Sequence, residues 1–158
     1  MTELAVEIGE YLRQRGLTLG TVESATGGLI AHLLTNISGS SDYFKGSVVA
    51  YSNEVKIATV GVKAKAIEKY GAVSPLVARQ MAQGGRRLLN VDICVADTGI
   101  AGPTGATPGK PLGLFYLGLA HPGGIYCRKH IFHGSREQNK MEAALTALAW
   151  IKEYLISL

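Results

Sequence analysis

Ser24 stands between Leu17 to Val22, which reads as a short strand, and the glycines Gly27 and Gly28 that open a helical stretch from Leu29 to Thr35. A serine placed where a strand turns sharply into a helix has the setting of a nucleophile, with an exposed hydroxyl and backbone N–H groups ready to hold an oxyanion. Gly27 and Gly28 keep the helix start free of side chains, and the positive end of the helix dipole favours an anion there. The same pattern also suits a plain Ser/Thr helix cap. A serine nucleophile needs a base, and Lys56 is a candidate, about one turn into a helix directly after Phe44 to Ser52, whose β-branched run reads as a buried strand. A neutral, desolvated lysine can take a serine proton, and Ser-Lys pairs are a variant of the triad. The alternative for Lys56 is a solvated helix lysine. Tyr51, near the end of the same run, would orient the lysine or wall the pocket, unless it is a core aromatic with a satisfied hydroxyl.

Two further features could bind an anion. The segment from Thr98 to Gly109 combines threonine hydroxyls with glycine-rich backbone, the equipment of a phosphate or carboxylate nest. It is not a Walker A loop, because no Gly-Lys-Ser/Thr closes it before a helix. Arg136, beside Gly134 and Ser135, could clamp a phosphate bidentately, or be a solvated arginine. The histidines His32, His121, His130 and His133 show no metalloprotease spacing, and His130 with His133 lacks a third ligand, so no metal site is expected.

These residues need elements to position them. Leu4, Ala5, Ile8, Tyr11 and Leu12 have the spacing of a one-faced helix ending near Gly16. Asn53 is the expected N-cap of a helix over Glu54 to Thr59, and Lys63 to Tyr70 forms another short helix closed by Gly71. Ser74-Pro75 reads as an N-cap and N1 proline for a helix through Leu89. Val91 to Ala96 is a buried-strand signature that runs into the long loop from Asp97 to Gly109. Gly113 to Ala120 and Gly124 to Phe132 read as a hairpin joined through His121-Pro122-Gly123, and Ser135 can cap a last helix from Arg136 to Leu155. The alternation implies an α/β domain whose mixed sheet is covered on both faces. Polar turns follow three of its strands, at Glu23 to Gly28, Tyr51 to Lys56 and Thr98 to Gly105, and could converge at the carboxyl ends.

The chain has 158 residues, 47% hydrophobic and 18% charged, enough for one domain over 1–158 with a sizeable core. Its apolar stretches fall short of the roughly 18 continuous residues of a membrane span. The opening MTELAVEIGEYL lacks a basic n-region and a small-residue cleavage site, so a cytoplasmic protein is expected. A net charge of +4 without a basic stripe favours small anions, phosphate esters among them, over nucleic acid as partners. Cys94 and Cys127 fall outside any C-x-x-C spacing and read as reduced core residues in strands.

Five ordered motifs together resemble the C-terminal domain family of the competence/damage-inducible protein CinA. They are Glu23-Ser24-x-Thr26-Gly27-Gly28; Gly39-Ser40-Ser41; Gly46-x-Val48-Val49-x-Tyr51-Ser52-Asn53-Glu54-x-Lys56; Gly71-Ala72-Val73-Ser74; and Thr98-Gly99-Ile100-Ala101-Gly102-Pro103. The resemblance runs from about Leu17 to the last helix. It implies a three-layer α/β/α sandwich and a nicotinamide mononucleotide deamidase, which releases ammonia and nicotinic acid mononucleotide without a cofactor. It implies Ser24 as nucleophile, Lys56 as base and Tyr51 beside them. Thr26, Gly27, Gly28, Asn53, Thr98, Gly99 and Arg136 would line the substrate site, and the chain would form a homodimer. Longer relatives carry an additional nucleotide-processing domain, so the chain resembles the stand-alone form. Ala25 stands where the motif commonly has cysteine. Asp97 stands where an apolar or small polar residue is usual, and a carboxylate there would raise the lysine's pKa or point away. The rival expectation is a non-catalytic nucleotide-binding or regulatory module in which Ser24 only caps a helix.

Overall fold

In the computed structural model, which describes residues 2–158, side-chain alternation along the strands decides which helices cover which face of one sheet. The chain runs α1 (Thr2–Arg15), β1 (Leu19–Glu23), α2 (Leu29–Thr35), a 3-10 turn at Ser40–Asp42, β2 (Phe44–Val49), α3 (Asn53–Val60), α4 (Ala64–Tyr70), α5 (Pro75–Leu89), β3 (Ile93–Gly99), β4 (Leu114–His121), β5 (Gly124–Ile131) and α6 (Arg136–Ser157). The strand order is β2-β1-β3-β4-β5. β1 pairs in parallel with β2 and β3, while β3, β4 and β5 pair antiparallel.

Along β3, Ile93 and Val95 join a core with Ile8 and Leu12 of α1, Ile30 and Leu34 of α2, and Leu148 and Ile151 of α6. Cys94 and Ala96, of opposite parity, join Val60 of α3, Ala66 of α4 and Val77, Met81 and Ala82 of α5. The result is the expected α/β/α sandwich on a mixed sheet, with each fully buried Leu, Ile or Met contributing about 1.5–3 kcal/mol by leaving water. α5 starts as expected, with Ser74 Oγ accepting from Val77 N at 3.3 Å and proline in the first turn. It packs unusually close to its neighbours. A Cβ on Gly118 would lie 2.2 Å from the Ala78 carbonyl oxygen, and one on Gly84 would lie 1.7 Å from that of Val60. Gly84 thus lets α5 approach the end of α3, the helix that carries Lys56.

Five expectations change. β2 is an edge strand of half-buried and exposed residues instead of a buried strand. Ser52, not Asn53, caps α3, its hydroxyl accepting from Val55 N at 3.1 Å, so Asn53 is the first helical residue. β3 does not stop at Ala96: Asp97, Thr98 and Gly99 pair with Leu117, Tyr116 and Phe115 of β4. The antiparallel partner extends a strand whose own composition reads as loop. The hairpin is tighter than expected, because His121 belongs to β4 and pairs with Gly124 across a Pro122-Gly123 connection. Cys94 is buried in the core as expected, whereas Cys127, on the edge strand β5, is only half-buried; both are free. No helix among the described residues is long and apolar enough to cross a membrane.

The carboxyl ends of β1, β2 and β3 lie at one edge of the sheet. Antiparallel pairing brings the start of β4 and the end of β5 to the same edge, since Gly99 pairs with Phe115 and Leu114 with Ile131. The N-terminus of α6 follows β5 there. This is where open α/β sheets collect ligands.

Candidate active site

Lys56 is buried on the inner side of α3, 2% exposed. Its Nζ donates to the Tyr51 carbonyl oxygen at 2.9 Å, and no ion pair among the described residues reaches it. Burial holds the amine below the ordinary lysine range, while the charge of Asp97 pulls it partly back up. The solvated-lysine alternative is therefore not what the fold provides. Tyr51 orients the lysine through its backbone. The residue is 61% exposed, and its hydroxyl accepts from Arg136 Nη2 at 3.3 Å.

The turn after β1 is built by two buried carboxylates. Glu23 accepts from the amides of Ile30 at 2.8 Å and Ala31 at 2.9 Å, so it satisfies the first turn of α2 from outside the helix. Its oxygens also accept from Thr21 Oγ1 at 3.0 Å and Ser47 Oγ at 3.2 Å. Asp97 accepts from Ser24 N at 3.0 Å through one oxygen and from Thr26 N at 3.1 Å through the other. Thr26 Oγ1 lies between the two acids, 2.8 Å from Glu23 Oε1 and in a short contact with Asp97 Oδ1. Gly28, left-handed at φ 100°, is the N-cap of α2 and offers no side chain. Ser24 therefore caps nothing: its hydroxyl makes no hydrogen bond among the described residues. Burial drives the Asp97 carboxyl up from 3.8 to about 6, opposed by its bond to Thr26 and aided by the charge of Glu23.

Ser24, Ala25, Tyr51, Asn53, Lys56, Thr98, Gly99 and Arg136 line one cavity of about 260 Å³. Its size is close to the lower bound of small-ligand pockets, roughly 300–1,000 Å³. Ser24 Oγ and Lys56 Nζ share this cavity without a direct hydrogen bond between them. Thr98 Oγ1 donates to the Ala72 carbonyl at 2.8 Å, which ties β3 to the segment before α5. Ala101, Thr104 and Gly105 also line it, and their amides have no acceptor among the described residues. Arg136 enters from α6, whose N-terminus carries a full capping box between Ser135 and Gln138. One Nη donates to the Gly102 carbonyl at 2.9 Å, so Arg136 bridges that loop to Tyr51.

Of the residues expected in the site, Thr26, Gly27 and Gly28 do not line the cavity. Thr26 is buried between Glu23 and Asp97, and the two glycines shape the turn behind Ser24. Sequence reasoning missed the function of Glu23 and the anchoring by Asp97. The available signal was parity: Glu23 shares the side of Leu19 and Asp97 that of Val95, the side covered by α2 and α6. Among the described residues no cluster of His, Cys, Asp or Glu could hold a metal ion.

Comparison with known proteins agrees with this architecture. The chain is 46% identical over 155 residues to a CinA-like protein of Sulfurihydrogenibium sp. and 49% identical over 155 residues to a putative competence-damage inducible protein of Halothermothrix orenii. Each match covers 98% of this chain but only 39% and 38% of those relatives. A crystal structure of a competence-damaged protein (CinA) superfamily member from Klebsiella pneumoniae superposes with a TM-score of 0.95 at 30% identity, covering 99% of this chain and 98% of that one. A competence/damage inducible protein from Agrobacterium tumefaciens gives 0.92 at 37% identity, covering 99% and 93%. With the family model for the CinA C-terminal domain matching residues 1–155, the chain belongs to the CinA C-terminal domain family.

Proposed function

We propose that this domain is an amidohydrolase that deamidates nicotinamide mononucleotide, with Ser24 as nucleophile and Lys56 as its base. The observation that carries this reading is a buried, desolvated lysine lining the same small cavity as a serine hydroxyl with no structural partner. Ser24 Oγ attacks the carboxamide carbon while neutral Lys56 takes its proton, directly or through one water, and passes it to the departing ammonia. Water then cleaves the acyl-enzyme. The amides of Ser24 and Thr26 are committed to Asp97, so the Ala25 amide, free of any acceptor among the described residues, is the turn's donor for the oxyanion. Arg136 retains unused guanidinium N–H groups and stands beside the Ala101–Gly105 wall, a setting that suits the ribose phosphate.

One observation favours a second reading, a non-catalytic nucleotide-binding module: Lys56 Nζ bonds Tyr51 rather than Ser24. Ammonia release from nicotinamide mononucleotide by the purified chain and by Ser24→Ala separates the two. The deamidase reading expects turnover that the alanine variant loses. Binding of the mononucleotide without ammonia release would support the module.

A further inference from the structure

We propose that Asp97 is a positioning residue that clamps the nucleophile turn through both carboxylate oxygens and couples the charge of that turn to Lys56. The inference rests on the Ser-Lys reading of the site. It starts from the register of the sheet: Val22 is the partner of Ala96, so the chain leaves β1 directly beside Asp97. The carboxylate then spans the turn, with one oxygen on Ser24 N and the other on Thr26 N. It does not line the cavity, so it acts on the reacting groups through Ser24 and Lys56 rather than on a substrate.

Thr26 makes the clamp sensitive to protons. Its hydroxyl has one hydrogen to donate, yet it lies within reach of oxygens from both Glu23 and Asp97. With both acids ionised, one of these contacts opposes lone pairs. A proton on Asp97 resolves the conflict, because Asp97 then donates to Thr26 Oγ1 and Thr26 donates to Glu23. The Glu23 carboxylate is already committed as an acceptor, to the amides of Ile30 and Ala31 and to Ser47 Oγ, which Thr21 Oγ1 backs at 2.6 Å, so Asp97 is the partner that turns donor. Burial pushes Asp97 up to about 6, which agrees with this assignment. The charged groups bearing on Asp97 are Glu23 from β1 and Lys56 from α3. From β4 it is paired with Leu117, and from α6 Lys140 Nζ reaches the turn, 3.8 Å from where a Cβ of Gly27 would lie. As Asp97 ionises, its negative charge favours the protonated form of Lys56, and the two amides tighten on the carboxylate.

The test reads Lys56 itself, so it does not depend on turnover. In protein labelled with [13Cε]lysine, with the Lys56 signal assigned through Lys56→Arg, Asp97→Asn should lower the Lys56 titration midpoint by about one pH unit. Asp97→Ser should do the same, which guards against a folding defect of one variant. In the wild type, the Ser24 and Thr26 amide signals should titrate together near pH 6. If the chain deamidates the mononucleotide, the rising limb of its pH profile, set by loss of the Lys56 proton, should move to lower pH with the Lys56 midpoint. An unchanged Lys56 midpoint in either folded variant, or wild-type amides that stay flat from about pH 4.5 to 8 while neighbouring carboxylates titrate, would overturn the proposal. Absent turnover with shifted midpoints would leave the clamp standing and remove the deamidase reading instead.

Discussion

Among single residues, the reactive ones are the hydroxyls and amines left over once the fold has used what it needs. Ser24 Oγ is left over, because Glu23 and Gly28 do the capping that a serine at this point would otherwise do. Ser24→Ala should therefore abolish deamidation and change unfolding free energy by less than about 1 kcal/mol, below a typical capping loss; urea denaturation beside an ammonia assay checks both. Lys56 must be neutral to accept a proton, and burial lowers its pKa, so activity should rise with pH through a midpoint below 10.5. Lys56→Arg should be nearly inactive at every pH because arginine keeps its proton; a flat single-turnover profile with an active arginine variant would place the base elsewhere. Arg136 anchors a phosphate in this account, so Arg136→Ala should lower kcat/KM for the mononucleotide roughly ten- to a hundred-fold, a charge-assisted bond of about 1.5–3 kcal/mol. Free nicotinamide, with no phosphate, should lose far less. Equal losses on both compounds would mean that the bridge from Arg136 to Gly102 and Tyr51 holds the site's shape instead.

At the scale of elements, α3 presents the lysine, and two features hold α3. Ser52→Ala removes its N-cap and should cost about 0.5–2 kcal/mol of stability, whereas Asn53→Ala should cost little and affect the cavity it lines; paired urea melts distinguish them. Gly84 lets α5 approach the Val60 carbonyl, so Gly84→Ala must push the two helices apart. It should cost about 1–3 kcal/mol and, by hydrating Lys56, move the pH midpoint of activity upward. Much of this framework was legible in the sequence, because helices announce themselves by local signals: Ser74-Pro75, the Ser135 cap and the 3.6-residue spacing of α1 all fall where they were read. What was not legible depends on partners distant in the chain. Asp97-Thr98-Gly99 has a loop's composition and is a strand only because β4 pairs with it. Ser52 and Asn53 are adjacent capping residues of nearly equal propensity, and local sequence does not choose between them. The cavity residues Ser24, Tyr51, Lys56 and Arg136 could be named from their turns, but the clamp of Asp97 on Ser24 follows from the neighbouring of β1 and β3, which no local pattern encodes.

At the scale of the whole molecule, the buried acid leaves a mark on stability. Between pH 3.8 and about 6 the folded chain keeps a proton on Asp97 that the unfolded chain has released. Its contribution is thus fully present below pH 3.8 and is lost as pH rises through about 6, an amount of about 3 kcal/mol for a rise of this size. Asp97→Asn cannot titrate there, so its stability relative to wild type should improve by about that amount between pH 4 and 7; parallel urea-stability profiles would contradict the burial argument. The sheet edge that gathers three strand ends and one helix start into a single cavity exists, in this account, to form an ester at Ser24. Rapid-quench intact-mass analysis of the protein mixed with nicotinamide mononucleotide tests that claim most directly. A transient adduct with the mass of substrate less ammonia should form, map by peptide digestion to Ser24 and be missing from Ser24→Ala. Ammonia release at the wild-type rate from Ser24→Ala, or an adduct mapped to any other residue, would contradict it.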